Sequence, residues 1–132
     1  MTRRSLLLAL LAGVVLSGIG RADGEHRYLY VVSPGVRDYL QYGGAGILVF
    51  DIDHDHKFVK RIATSASQVD KPENIKGVVA CAATKRLYFT TPTKLYCVDL
   101  VGEKTLWEKK LDGGCDRPAM TPDGKTLFVP SF

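Results

Sequence analysis

The feature that most constrains the fold of this chain is a set of short apolar motifs that recur at a similar spacing. The triplet LYF at residues 87–89 is followed by LFV at residues 127–129, and each triplet comes after a polar turn. In the same way, VFDI at residues 49–52 is followed by CVDL at residues 97–100. Equivalent positions are therefore 40 and 48 residues apart. Such a spacing is typical of folds that repeat one small unit of structure.

Between these motifs the chain has the pattern of short strands. Runs of β-branched and aromatic residues alternate with clusters of Gly, Pro, Asp and Lys, which favour turns. After residue 22 no segment shows a long apolar period of 3.6 residues. About four strands fall within each repeat, which is the organisation of a β-propeller blade.

We therefore predict an all-β fold: a β-propeller fragment of about two to three four-stranded antiparallel blades, after a cleavable N-terminal signal helix. The blades are predicted over residues 27–63 (blade one), 77–111 (blade two) and 118–132 (the start of blade three). The predicted strands are 28–33, 47–53 and 57–63 in blade one, 77–83, 87–91, 94–100 and 105–111 in blade two, and 119–121 followed by a strand that runs to residue 132 in blade three.

Two segments carry a resemblance to known repeat families. The hairpin sequence TPDGKTLFV at 121–129, together with the strands LYFTT and LYCVDL, resembles the YVTN-type propellers of exported bacterial proteins (quinoprotein amine dehydrogenase-like and YncE-like propellers). The sequences LYVVS, LYFTT and LFVPS stand where the YVTN tetrapeptide would be. The segment at 95–111 also resembles the repeat of pyrroloquinoline-quinone-type propellers, which implies that Trp107 packs between blades.

The N-terminus has the design of a secretory signal peptide. Arg3 and Arg4 precede an apolar run at residues 6–16, and Gly20 and Ala22 occupy the −3 and −1 positions of a cleavage site. A membrane anchor is the alternative, but a spanning helix needs about 20 apolar residues and this run is shorter. We predict cleavage after Ala22 and a periplasmic or secreted protein of residues 23–132.

The basic charge of the chain belongs largely to the predicted signal peptide. The sequence has 18 Lys and Arg against 14 Asp and Glu, a net charge of +4. Arg3, Arg4 and Arg21 would leave with the signal peptide and no acidic residue would. A nearly neutral mature domain gives no support to nucleic acid binding. We expect an unknown small molecule or an envelope protein as partner, no nucleic acid, no membrane after signal cleavage, and no cofactor.

The sequence stops within a predicted strand, and blade one has no predicted innermost strand. Incomplete blades leave sheet edges that promote aggregation. We therefore expect this chain to be the N-terminal fragment of a longer protein. The alternative is a small unit that assembles its blades by oligomerisation.

The predicted topology sorts the connecting loops onto two faces. The loops at residues 34–46, 64–76 and 112–118 emerge on one side, here called the long-loop face, and short turns emerge on the other, the turn face. Long loops are often functional. The candidate ligand-binding residues are those of the long-loop face with charged or aromatic side chains: Arg37, Asp38, Tyr39, Tyr42, Asp116 and Arg117. The alternative is that each neighbouring Arg and Asp pair locally and hold the loops down.

The segment at residues 51–56, DIDHDH, is the part of the sequence that most resembles a metal site. Its Asp spacing matches the start of a calcium loop, but His56 stands where that loop needs Gly and Ile62 where it needs Glu. We interpret the segment as a solvated turn on the turn face and predict no metal site.

The sequence predicts neither a disulfide framework nor a catalytic centre. Cys81 and Cys97 lie on predicted strands separated by a third, roughly 9 to 10 Å apart, which is too far for a bridge. A contact between Cys115 and Cys81 across blades remains open. G-x-S-x-G and phosphate-binding motifs are absent. The leading hypothesis is a binding scaffold. The alternative is part of a propeller enzyme, a quinoprotein-like dehydrogenase or a lactonase-like hydrolase, with its catalytic residues in blades outside this chain.

Overall fold

A computed structural model of the chain describes residues 26–33, 46–67 and 73–131. The predicted signal peptide at residues 1–22 lies outside these ranges. The described part contains nine strands. In chain order they are β1 (Tyr28–Ser33), β2 (Gly46–Asp51), β3 (Lys57–Ile62), β4 (Gly77–Cys81), β5 (Arg86–Thr90), β6 (Lys94–Asp99), β7 (Lys104–Lys110), β8 (Ala119–Met120) and β9 (Leu127–Phe128). Within these ranges there is no helix that could cross a membrane.

The strands form three antiparallel sheets, each made of consecutive strands. The first sheet has the order β1-β2-β3, the second β4-β5-β6-β7 and the third β8-β9. We keep the names blade one, blade two and blade three for these sheets. Strands β1 to β8 begin and end within two residues of the predicted bounds, whereas β9 ends at Phe128, short of the predicted residue 132.

Blades one and two share local details that show the repeat in three dimensions. The pairing of β2 with β3 shifts by one residue between Val49 and Phe50, and the pairing of β6 with β7 shifts in the same way between Cys97 and Val98, so that the extra residue of each β-bulge lies on the outermost strand. These pairs occupy equivalent positions of the VFDI and CVDL motifs. The same bulge in both blades bends each sheet at the same place. The repeat seen in the sequence is therefore a repeat of backbone geometry.

The Asp of each motif caps the turn that follows. The carboxylate of Asp51 accepts a hydrogen bond from the N–H of Asp53 at 2.9 Å, and that of Asp99 accepts one from Gly102 at 2.9 Å. Short polar side chains of this kind stabilise turns by bonding to backbone two or three residues on. Asp51 is thus a turn-capping residue with an equivalent in blade two.

Apolar side chains fill both spaces between the blades. The middle strands of blade two are covered on both sides, so β5 is buried at residues 87–90 and β6 at residues 95–98. The core between blades one and two contains Ile47, Val49, Ile62, Ala66, Leu87, Phe89, Tyr96 and Val98. The core between blades two and three contains Tyr88, Leu95 and Cys97, with Val79, Leu111, Met120, Leu127 and Val129 packed against them.

Trp107 lies on the outermost strand of blade two. It is the strand partner of Cys97, and its ring centroid is 6.0 Å from that of Tyr88. It therefore shares the face of blade two that blade three partly covers, and 41 % of its surface is exposed. The three cysteines, Cys81, Cys97 and Cys115, are buried and none is bridged.

Candidate binding site

The antiparallel order of the strands separates the connections as predicted. The turns that follow β2, β4, β6 and β8 lie on the turn face, and the strands β1, β3, β5 and β7 end at the opposite side, where the other connections begin. Four of the predicted site residues, Arg37, Asp38, Tyr39 and Tyr42, fall in the first of these connections and outside the described residues. For them the binding role stays a prediction.

The loop between β7 and β8 carries the two remaining predicted residues and has a firmly held backbone. The carbonyl of Asp116 accepts a hydrogen bond from Thr90 Oγ1 at 2.7 Å, and its N–H donates to the carbonyl of Pro130 at 3.0 Å. The loop also passes close to β4, because a Cβ on Gly77 would lie 2.5 Å from the Cα of Arg117. Contacts to blades two and three therefore fix the path of this loop.

Cys115 pins the same loop from inside. Its side chain is fully buried, and its thiol donates hydrogen bonds to the carbonyls of Thr91 at 2.9 Å and Lys94 at 3.3 Å. Burial raises the pKa of this thiol, with a smaller contribution from the nearby Asp116 carboxylate. Cys115 is a structural residue that fastens the loop to blade two.

The side chains of Asp116 and Arg117 are both exposed. Among the described residues neither forms an ion pair, with the other or with any further partner. The predicted alternative, local pairing that holds the loop down, is wrong for this pair, because backbone bonds and Cys115 do that instead. The loop presents two opposite charges to solvent on a fixed backbone.

The metal-like segment at residues 51–56 uses its acidic groups in other contacts. Asp51 Oδ2 lies 2.7 Å from His54 Nδ1, and this hydrogen bond lowers the pKa of Asp51. Asp53 accepts hydrogen bonds from the backbone N–H of Arg27 at 2.9 Å and from its Nε at 2.8 Å. In the described ranges no group of three or more His, Cys, Asp and Glu side chains is placed to hold a metal ion.

The turn face contains a cavity that the sequence did not predict. It lies between blades one and two and has a volume of about 660 Å³. We call it the interblade cavity. Its lining residues come from the start of β1, the turns of both blades and the end of β4: His26, Arg27, Tyr28, Tyr30, Ile52, Ala80, Cys81, Ala82, Lys85, Leu100 and Val101. The prediction gave this face short turns only, and those turns do not close the space between the blades.

The two basic side chains at this cavity, Arg27 and Lys85, differ in whether an acidic partner neutralises them. Arg27 is neutralised by Asp53, and that hydrogen bond raises the pKa of Arg27. Lys85 has no acidic side chain within ion-pair distance in the described part of the chain. Burial raises the pKa of Tyr30, so its hydroxyl stays protonated and can act as a hydrogen-bond donor. Tyr28 and Tyr30 are far from Lys85 in the sequence, and the fold brings the three residues together around the cavity.

Comparison with known proteins supports the fold and leaves the family open. No protein-family model matches the chain, and no curated protein matches it. Among solved structures, the chain is similar to the β-propeller domain of Cps50 (Swd1) from Myceliophteria thermophila, with a TM-score of 0.52 and 18 % sequence identity. The match covers 65 % of this chain and 29 % of that domain's chain. The predicted β-propeller fragment is therefore confirmed as a fold, and this chain spans less than a third of the length of that structure.

Proposed function

We propose that this chain belongs to an exported propeller of the YVTN type that works as a binding scaffold for a small molecule or an envelope protein. The observation that carries this proposal is the loop between β7 and β8, which holds Asp116 and Arg117 exposed and unpaired on a fixed backbone. Propellers serve many functions, so the proposal rests on this loop more than on the fold.

A fixed loop lowers the cost of binding because its backbone needs no further ordering when a partner arrives. The guanidinium of Arg117 has no ion-pair partner among the described residues, so all of its donors are available to a carboxylate or a phosphate. Asp116 adds an acceptor beside it. Arg37, Asp38, Tyr39 and Tyr42, which the sequence assigns to the same face, remain predicted members of this surface.

The binding role is tested by quantitative cross-linking of the exported protein in envelope extracts. Wild-type protein is compared with Arg117→Gln, which removes the proposed clamp, and with Lys57→Gln, which removes an exposed cation on the turn face. We expect a partner that is enriched by wild type and Lys57→Gln and is lost with Arg117→Gln. A partner set that Arg117→Gln leaves unchanged would contradict the assignment of this loop.

Export has a separate test. We expect the protein recovered from the periplasm or the medium to begin at Asp23, because the proposed signal peptide ends at Ala22. Mass spectrometry of its N-terminal peptide gives the answer. Protein that keeps residues 1–22 and stays with the membrane fraction would support an anchor instead.

A second candidate function is membership in a propeller enzyme. The specific observation is Trp107, whose ring lies beside Tyr88 on the face of blade two that blade three partly covers. That position fits the packing role implied by the resemblance to pyrroloquinoline-quinone-type propellers. Assay of the complete protein with panels of quinone acceptors and lactones tests this function, and turnover that depends on the protein would favour it over the scaffold.

A further inference from the structure

The interblade cavity has the size and form of a small-molecule site, although it lies on the face that carries only short turns. Its volume of about 660 Å³ falls within the range of roughly 300 to 1,000 Å³ that is usual for ligand pockets. Asp116 and Arg117, the described residues of the proposed scaffold site, lie on the opposite face. The ligand of the cavity is therefore distinct from the partner proposed for the long-loop face.

Aromatic rings from β1 and the residues before it form one wall of the cavity. The ring centroids of His26 and Tyr28 are 6.4 Å apart with their planes at 24°, and those of Tyr28 and Tyr30 are 6.5 Å apart. Tyr28 is 41 % exposed, so part of this wall is open to solvent. The rings of His26 and Tyr28 are nearly parallel and favour a flat apolar ligand that can lie against them, whereas the ring of Tyr30 is tilted by 59° from that of Tyr28.

The opposite wall is aliphatic and belongs mainly to blade two. Leu100 and Val101 come from the turn after β6, and Ile52 comes from the turn after β2. Val101 is 77 % exposed, so this wall is also open to solvent. A flat apolar group between these side chains and the tyrosine rings would remove both surfaces from water.

The polar part of the cavity is positive. Arg27 and Lys85 line it together with His26, and none of its described lining residues is acidic. Arg27 already has Asp53 as its partner, whereas the ammonium of Lys85 has no ion-pair partner in the described chain. The available charge is therefore the single cation of Lys85.

The backbone of Lys85 is fixed at the cavity. This residue adopts a left-handed conformation, with φ of +54°, in the turn between β4 and β5. Its carbonyl accepts a hydrogen bond from the N–H of Leu100 at 2.9 Å, which ties the Lys85 turn to the aliphatic wall. The backbone from which the Lys85 side chain extends is thus tied to the apolar wall by blade two itself.

From this arrangement we propose that the interblade cavity binds a small amphipathic anion, with a flat apolar body between Tyr28 and Leu100 and a carboxylate at Lys85. The ligand class follows from charge complementarity with Lys85 and from the two apolar walls. The proposal is independent of the scaffold function because it uses none of the residues of the long-loop face.

The test uses three probes that share one ring system and differ in charge: 2-naphthoate, 2-naphthalenemethanol and 2-naphthylmethylammonium. Binding to the full chain is measured by isothermal titration calorimetry at low salt. We expect 2-naphthoate to bind more tightly than the alcohol, and the ammonium probe to bind least. Lys85→Met should weaken binding of 2-naphthoate about 5-fold, as expected for an exposed ion pair, and leave binding of the alcohol unchanged.

Lys110→Met is the matched control because Lys110 is exposed at the other end of blade two. It should bind 2-naphthoate as wild type does. Tyr28→Ser should weaken all three probes, since it removes the central ring of the aromatic wall. Trp107 fluorescence shows whether each variant keeps its fold.

Three results would overturn the proposal: no saturable binding of 2-naphthoate up to about 10 mM, equal affinity for all three probes, or a Lys85→Met variant that binds 2-naphthoate like wild type. Arg117→Gln should not change binding of the probes. Refutation of the cavity proposal would thus leave the scaffold proposal intact, and refutation of the scaffold proposal would leave the cavity proposal intact.

Discussion

Replacement of Phe89 by alanine tests whether the space between blades one and two is the main core of this chain. Phe89 is fully buried, and its ring stacks on that of Tyr96 with centroids 4.6 Å apart and planes at 5°. Removal of a buried Phe side chain costs about 3 to 5 kcal/mol, of which a stacked pair accounts for about 0.5 to 1.5 kcal/mol. Because small domains have only about 5 to 15 kcal/mol of stability, we expect Phe89→Ala to lose a large part of it.

The measurement is urea unfolding followed by the fluorescence of Trp107, the only tryptophan. Phe58→Ala is the matched control, since Phe58 is 52 % exposed on blade one. We expect this control to lower the free energy of unfolding by less than about 1 kcal/mol. The chemical change is the same in both variants, so the difference between them measures the burial of Phe89 between the blades.

Equal losses in the two alanine variants would refute the reasoning, and so would a loss below about 1.5 kcal/mol for Phe89→Ala. If Phe89→Ala does not fold, Phe89→Leu gives the comparison. It keeps most of the volume and should cost about 1 kcal/mol. A Phe89→Leu variant that also fails to fold would show that stacking on Tyr96 contributes far more to stability than burial of the side chain does.

Two further predictions concern ionisable groups. Cys81 should react with iodoacetamide before Cys115 at about pH 8, because hydrogen bonding with Thr84 lowers the pKa of Cys81 while burial raises that of Cys115. Timed alkylation and peptide mass spectrometry give the order, and equal rates would contradict it. The His54 hydrogen bond lowers the pKa of Asp51 in the folded protein. The ionised Asp51 therefore stabilises the fold above about pH 4, and this stabilisation is lost as the pH falls towards the lowered pKa of Asp51. Urea midpoints of Asp51→Asn should therefore fall less steeply than those of wild type below about pH 4, and identical slopes would count against this contact.

The strands and their grouping into blades could be predicted because each depends on local sequence. Next to the motifs VFDI and CVDL the outermost strand of each blade carries one extra residue, and a capped turn follows the Asp of each motif. A left-handed residue follows in each turn, Asp55 in one and Glu103 in the other. Side-chain alternation and turn chemistry act over a few residues, so a repeat in sequence becomes a repeat in geometry.

The functional surfaces were harder to predict because they depend on distant pairings. Arg27 meets Asp53 across 26 residues, and this contact decides that the nearby Lys85 is the available cation of the cavity. Neighbouring Asp116 and Arg117 were as compatible with an ion pair as with two free charges. Only the position of the loop against blades two and three distinguishes the alternatives, and no spacing rule contains that information.

Blades one and two differ in how their faces are covered, and this difference bears on the outer face of blade one. The central residues of β5 and β6 are all buried, and a neighbouring sheet covers each of their faces. The strands β1 and β2 contain a similar apolar run, but among the described residues their core packing lies on the face towards blade two. On the other face Leu29, Val31 and Phe58 are 40 to 52 % exposed. Since strands of this composition are usually buried on both sides, the outer face of blade one has the chemistry of a surface that packs against a further sheet. This supports the proposal that the chain belongs to a larger propeller.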